Sequence, residues 1–238
     1  MIRGAVSAAA AAAACYLSVP KMSFSCSPSA SPGACLGDAA VYNTGDALKE
    51  TTYTYTSAMN GAKMTFDTDC SCWCNYVIGS YFPSAFDLIT NDTTVKPSVP
   101  RAKQYYQYLA AQGADGTPWA NVADIRTVKH GDVVAYALPA GSTDTGHVMF
   151  AIDDGSTPMT LPYSGRTDAI WVYVADASTV KHKEDTRCPS CQFQTGLGRG
   201  YMAFSFDANG APQQFQFCDT CNWHAAQISA GRLTSAGQ

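Results

Sequence analysis

The stretch DCSCWCNYV, residues Asp69 to Val77, decides how we interpret the rest of the chain. A thiol, Cys70, follows an acidic residue and precedes an apolar segment that can form a helix. The first turn of a helix has unpaired N–H groups and the positive end of the dipole, which make a cysteine there easier to ionise. The clustered cysteines are equally compatible with burial, metal binding or disulfides. With Asp69, or Thr68 before it, as N-cap, the stretch predicts a helix that begins at Cys70 and ends near Gly79.

A histidine lies at the start of a predicted strand far along the chain. The segment Gly131-Asp132-Val133-Val134 predicts a turn followed by a strand, and Gly146-His147-Val148 opens the next strand. A lone histidine beside an apolar run is usually an ordinary core or surface residue. A cysteine on one element and a histidine on a distant element, however, form the usual pattern for thiol catalysis. The two stretches together therefore point to a nucleophile and its base.

Three short motifs occur in order along the chain: Asp69-Cys70-Ser71, Gly131-Asp132-Val133-Val134 and Gly146-His147-Val148. In these motifs the chain resembles the NlpC/P60 branch of the papain-like cysteine peptidases, over about residues 65 to 232. The resemblance implies an α+β fold whose nucleophile helix packs on an antiparallel sheet. It implies a hydrolase that cleaves an amide bond in peptidoglycan stem peptides, as an endopeptidase or amidase, with Cys70 as nucleophile and His147 as base. The alternatives are a non-catalytic module that binds the cell wall and a thiol acyltransferase on the same scaffold.

Two positions of this site leave a choice open. The family has a small residue, often glycine, where this chain has Cys72, and Cys72 directly precedes Trp73, so it is a rival nucleophile. We favour Cys70 because Asp-Cys-Ser matches the motif residue by residue. The resemblance also places a third catalytic group on the strand after the histidine strand, which ends in Asp176. Asp176 would orient the imidazole, or it would simply cap the strand end.

Composition limits the class of protein. The chain has 238 residues, of which 46% are hydrophobic, enough for one full-sized core. Its net charge is −4 and only 14% of its residues are charged, without a basic stripe, so a nucleic-acid partner is not expected. We expect a monomer that acts on peptidoglycan or a peptide.

The N-terminal residues 1–36 form a segment distinct from the expected catalytic domain, residues 37–238. A single positive charge and a short alanine-rich run are typical of a secretory signal peptide, and the run is too short to span a bilayer. The alanines before Cys15 also resemble a lipoprotein cleavage site, and an uncleaved tail is the third alternative. A Ser/Pro-rich linker follows, in which Cys26 and Cys35 could form a disulfide. We expect a secreted protein or one of the periplasm or cell envelope.

The remaining pattern places helices before strands, which is an α+β layout. A helix is predicted over Arg101–Gln112 from apolar residues at helical spacing, another over Asp46–Met59, and a loop over residues 90–100. The predicted strands are Val133–Leu138, His147–Ile152, Ile170–Ala175, Tyr201–Phe206, Gln213–Phe217 and Gln227–Ala230.

Two later stretches carry further chemistry. Four of the ten cysteines, Cys188, Cys191, Cys218 and Cys221, form two C-x2-C pairs around a predicted hairpin, residues 188–221. The spacing favours a structural zinc site, whereas a secreted protein would favour two disulfides; either would staple the hairpin, and no cofactor is expected for catalysis. The charged segment Lys181–Arg187 predicts a solvated surface, or a cleft rim where His182 or Arg187 binds a carboxylate of the substrate.

Overall fold

Helices precede a large antiparallel sheet in the computed structural model, which describes residues 19–20, 23–91, 99–139, 141–142, 144–188 and 191–236. The α-helices of these residues are α1 (Pro32–Thr44), α2 (Cys70–Tyr81), α3 (Pro83–Asn91) and α4 (Ala102–Ala110). The strands are β1 (Glu50–Tyr53), β2 (Ala58–Asn60), β3 (Thr65–Thr68), β4 (Trp119–Asn121), β5 (Val133–Ala137), β6 (Gly146–Ala151), β7 (Thr160–Pro162), β8 (Ala169–Ser178), β9 (Gly196–Phe206), β10 (Pro212–Gln216), β11 (His224–Ala225) and β12 (Gln227–Leu233). A short 3-10 helix, Ile125–Thr127, joins β4 to β5.

The large sheet has the order β11-β10-β9-β8-β6-β5-β12-β4, with β7 beside β8. All of its paired strands run antiparallel. Each of the six predicted strands is present with shifted ends, and the α+β class is confirmed. The longest pair, β8 and β9, is in register over ten residue pairs, from Ala169 opposite Ser205 to Ser178 opposite Gly196.

Two apolar cores lie on opposite faces of this sheet. On one face α2 packs against β6 and β8, where the Trp73 ring meets Phe150 edge-to-face at 5.4 Å between centroids. On the other face Tyr136 stacks on Phe215 at 4.0 Å, and β10 approaches β12. The sheet therefore curves around its second core, and the helices cover its first.

The helix α2 begins where the sequence predicts. The Asp69 carboxylate caps it by accepting the Cys72 N–H at 2.8 Å, so Cys70 is its first residue. Its end was predicted wrongly at Gly79, because the ladder continues until the Phe82 N–H donates to the Ile78 carbonyl at 2.8 Å. A glycine flanked by buried apolar residues is tolerated inside a helix when tertiary packing outweighs its low propensity.

The first third of the chain departs most from the prediction. Residues Asp46–Met59, predicted as a helix, instead supply β1 and β2, which flank β3 in a small sheet. The β-branched and aromatic residues there favour strands. Helices α1 and α3 were missed although each begins with a proline, a residue preferred at the first helical position. The expected boundary after residue 36 falls inside α1, whose Leu36 side chain is fully buried.

Several sequence-based expectations lie on residues outside those described. These are the signal-like or lipoprotein-like segment with Cys15, most of the loop at 90–100, and Pro189 and Ser190 of the first C-x2-C pair. Along the described residues no helix combines the length and apolar character needed to cross a bilayer.

The disulfide expected between Cys26 and Cys35 is present. The second cysteine set corrects the zinc expectation, because Cys188 bonds to Cys191 and Cys218 bonds to Cys221. The Cα atoms of the two pairs are 4.8 and 5.0 Å apart, a separation that suits a local disulfide. Each bond joins the two cysteines of one C-x2-C pair, so neither bond staples the hairpin. Their sulfurs are then not available as thiolate ligands, and within the described ranges no cluster of three or more metal-ligating side chains occurs.

Candidate active site

The structure settles which thiol of the DCSCWC stretch is free at the helix start. Cys70 is unbonded and only 4% exposed, and it opens α2. Cys72 is held in a disulfide, so it is not available as a nucleophile. Cys74, one turn further along, is also a free thiol, but it is fully buried in the core, where burial raises its pKa well above the usual value. Cys70 is therefore the free thiol that lies at the N-terminus of the helix, beside its unpaired N–H groups and the positive end of its dipole.

His147 is the second residue of β6 and lies beside this thiol. Its ring lies close enough to Cys70 for that thiol to raise the pKa of His147, and its Nε2 lies 2.5 Å from Oδ2 of Asp176. Since Nε2 engages the carboxylate, Nδ1 is the ring nitrogen that remains for the thiol. Gly146 makes this placement possible, because a Cβ there would lie 1.9 Å from the Tyr136 carbonyl oxygen on the neighbouring strand. The structure thus brings Cys70, His147 and Asp176 together.

Asp176 is not a strand-end cap, because β8 continues past it to Ser178. Its carboxylate is completely buried. Besides His147, it contacts the His182 Nε2 at 2.8 Å through Oδ2 and the Arg187 guanidinium at 2.8 Å through Oδ1. Burial alone would raise the pKa of Asp176, but the Arg187 cation and the two imidazoles lower it well below the usual value. Asp176 is therefore an ionised acceptor at neutral pH.

His182 and Arg187 are the residues that the sequence interpretation placed wrongly. The segment Lys181–Arg187 was expected to be a solvated surface or to bind a carboxylate of the substrate, yet both side chains are buried and bind the internal carboxylate of Asp176. The segment runs beside β9, where the Lys183 and Tyr201 backbones exchange hydrogen bonds of 3.1 and 2.8 Å.

Alternate glycines of β9 allow this close approach. A Cβ on Gly198 would lie 2.4 Å from Arg187 Nε, and one on Gly200 would lie 2.7 Å from the His182 Cβ. The run Gly196-Leu-Gly-Arg-Gly200 was the sequence signal for it, since glycines at period two in a strand mark a face that another backbone approaches.

A cleft lies close in the chain to the residues of this site. It is a cavity of about 400 Å³ lined by Tyr55, Arg101, Asp144 and Thr145. Arg101 forms an ion pair with Asp69 at 2.9 Å, directly before Cys70, and Thr145 is two residues before His147. Burial and the nearby Cys70 raise the pKa of Tyr53, next to this cleft. A molecule in this cavity would meet one cationic, one anionic and one aromatic side chain.

Comparison of the chain with protein-family models, with curated proteins and with solved structures finds no match. The fold class is α+β, and its site is a buried thiol–imidazole–carboxylate arrangement at the junction of a helix N-terminus and a curved sheet.

The charge state of His147 gives a testable pH dependence. Burial lowers its pKa, but the adjacent Cys70 thiol and the Asp176 carboxylate outweigh burial and raise the pKa to about 10. The imidazolium should therefore persist from acid pH up to about 10, and the stability it adds should be complete below the ordinary value of about 6.5 and decline progressively as pH rises from there to about 10. An NMR titration of the ring should show no transition near the ordinary value of about 6.5. In Cys70→Ala the midpoint should fall, because the contribution of Cys70 to the raised pKa of His147 is gone; a midpoint near 6.5 in the unsubstituted protein would contradict the arrangement.

Proposed function

We propose that this protein is a cysteine hydrolase that cleaves an amide bond, with peptidoglycan stem peptides as its substrate class. The observation that carries the proposal is a free thiol at a helix start whose proximity raises the pKa of an imidazole, while Nε2 of that imidazole binds a buried, ionised carboxylate. This is the general pattern of covalent amide hydrolysis, in which a base lies beside the nucleophile and a third group orients the base. The substrate class rests on the motif resemblance, and secretion rests on the disulfides, which persist in oxidising compartments.

The reaction would proceed in two balanced halves. The Cys70 thiolate attacks the carbonyl carbon, and the backbone N–H at the start of α2 faces the oxygen that becomes negative. His147 gives its proton to the leaving amine, so the C–N bond breaks and an acyl-thioester remains on Cys70. Neutral His147 then takes a proton from water, whose oxygen attacks the thioester. The products are a carboxylic acid and the regenerated thiolate–imidazolium pair.

A peptidoglycan digest tests the proposal. The protein would be incubated with purified sacculi and with soluble stem peptides in water enriched in ¹⁸O, and the products would be analysed by mass spectrometry. Hydrolysis should release fragments with one ¹⁸O atom in each new carboxylate, and a sample alkylated with iodoacetamide should release none. Products that carry an added amine instead of ¹⁸O would identify an acyltransferase. Sedimentation with sacculi without any fragment would identify a binding module.

A further inference from the structure

Two imidazoles share one carboxylate oxygen behind the thiol. Oδ2 of Asp176 lies 2.5 Å from Nε2 of His147 and 2.8 Å from Nε2 of His182, while Oδ1 faces Arg187 at 2.8 Å. The His182 and Asp176 side chains are both 0% exposed. Because an ionised carboxylate only accepts, both histidines must present an N–H to the same oxygen. A base and its orienting acid need only one of these contacts, so the second imidazole requires an explanation.

The surroundings of His182 are well defined. Its ring lies parallel to Phe217, with centroids 5.8 Å apart, and Phe217 also touches His147 at 6.4 Å. The charged or titratable groups around it are Asp176 on β8, His147 on β6, and Asp185 and Arg187 on its own segment, with Asp185 accepting the His182 backbone N–H at 2.6 Å. Within the described residues its Nδ1 is buried and has no hydrogen-bond partner. Its Nε2–H bond to Asp176 is thus the polar contact that the ring makes, and this bond couples it to His147.

We propose that His182 is a positioning residue that fixes Oδ2 of Asp176 and takes up part of its hydrogen-bonding capacity, so that His147 is a weaker base than Asp176 alone would make it. The catalytic consequence rests on the proposed function, but the coupling of the two histidines does not. Removing the His182 donor would leave the negative charge of Oδ2 to His147 alone. The undivided charge raises the affinity of His147 for its proton.

The test compares histidine variants in a Cys70→Ser background. There the Cys70 thiol no longer contributes, and the proton affinity of His147 depends mainly on Asp176 and burial. Adding His182→Phe, which keeps a ring against Phe217 but removes the donor, should raise the His147 midpoint in an NMR titration by about half a pH unit to one unit. His182→Gln, which retains an N–H donor, should restore most of the original midpoint. His130→Gln is the matched control, because His130 also binds a carboxylate, that of Asp38 at 3.1 Å, but belongs to neither core nor site; it should cause no change.

Other outcomes overturn the proposal. An unchanged or lower midpoint in a folded His182→Phe protein would mean that His182 only fills space. If that variant does not fold, proton NMR of the protein with His182 intact decides the question: two imidazole N–H protons bound to one carboxylate should give two strongly downfield resonances, and a single one would refute the sharing. All these readouts are made without turnover. A protein that cleaves nothing but shows the shift would refute the hydrolase and retain the coupling of the histidines.

Discussion

Replacing Cys70 by alanine should abolish amide hydrolysis, with a loss on the order of 10⁵-fold or more in turnover. The Cys70 thiol is unbonded, begins α2 and lies close enough to His147 to raise the pKa of that ring. Without it no acyl intermediate forms, and the remaining groups offer only orientation and electrostatic stabilisation. Turnover would be measured by mass spectrometry on the stem peptides used above, and alkylation of the protein by iodoacetamide would be mapped by peptide sequencing.

The matched control is Cys74→Ala, because Cys74 is the other free thiol of the same helix. It lies one turn away in the apolar core beneath the sheet, so its loss should reduce stability slightly through a small cavity and leave turnover within a few-fold of the original value. If Cys70→Ala and Cys74→Ala lose activity equally, the assignment of Cys70 as the nucleophile is wrong. If iodoacetamide still labels the inactive Cys70→Ala protein at another residue, the site is wrongly assigned.

The sequence predicted those residues of the site whose positions are marked by their immediate neighbours in the chain. A cysteine after a capping aspartate and a histidine after a glycine each mark a single position on a helix or strand. The contact between them follows once α2 packs across β6, which the apolar residues of both elements require. The partners of Asp176 could not be found in this way, because a charged segment such as Lys181–Arg187 normally faces solvent. The burial of His182 and Arg187 depends on two glycines, Gly198 and Gly200, of a strand that comes later in the chain.

The wrong predictions about the fold also have physical causes. C-x2-C spacing brings two sulfurs together whether they bind a metal or each other, so spacing cannot distinguish the two outcomes. The residues before α2 form β1 and β2 because both strands pair with β3. Strand pairing depends on distant contacts more than on propensity.

Arg187→Met should destabilise the fold by about 3–5 kcal/mol at neutral pH, the typical cost of leaving a buried charge without its partner. The guanidinium is 1% exposed and binds two buried carboxylates, Asp176 at 2.8 Å and Asp185 at 2.9 Å, together with the Gly196 carbonyl at 2.8 Å. Methionine fills much of the volume but supplies no charge. Urea unfolding followed by circular dichroism would measure the change, because the midpoint shifts with stability when the slope is constant.

The pH dependence of this loss separates charge from packing. Arg187 lowers the pKa of Asp176, so the ion pair adds stability above the ordinary carboxyl value of about 3.9 and loses it as pH falls. The gap between Arg187→Met and the original protein should therefore shrink in acid. Arg126→Met is the control, since that guanidinium makes a comparable two-pronged contact with Asp124 on the exposed surface and should cost little at either pH.

A double variant completes the reasoning. Adding Asp176→Asn to Arg187→Met removes one of the two stranded charges, so the double variant should be more stable than Arg187→Met alone, although both should lack activity. A double variant that is less stable still would show that Arg187 stabilises by packing. In that case the buried ion pair could not be the reason why Asp176 is ionised behind His147, and the orientation of the base would need another source.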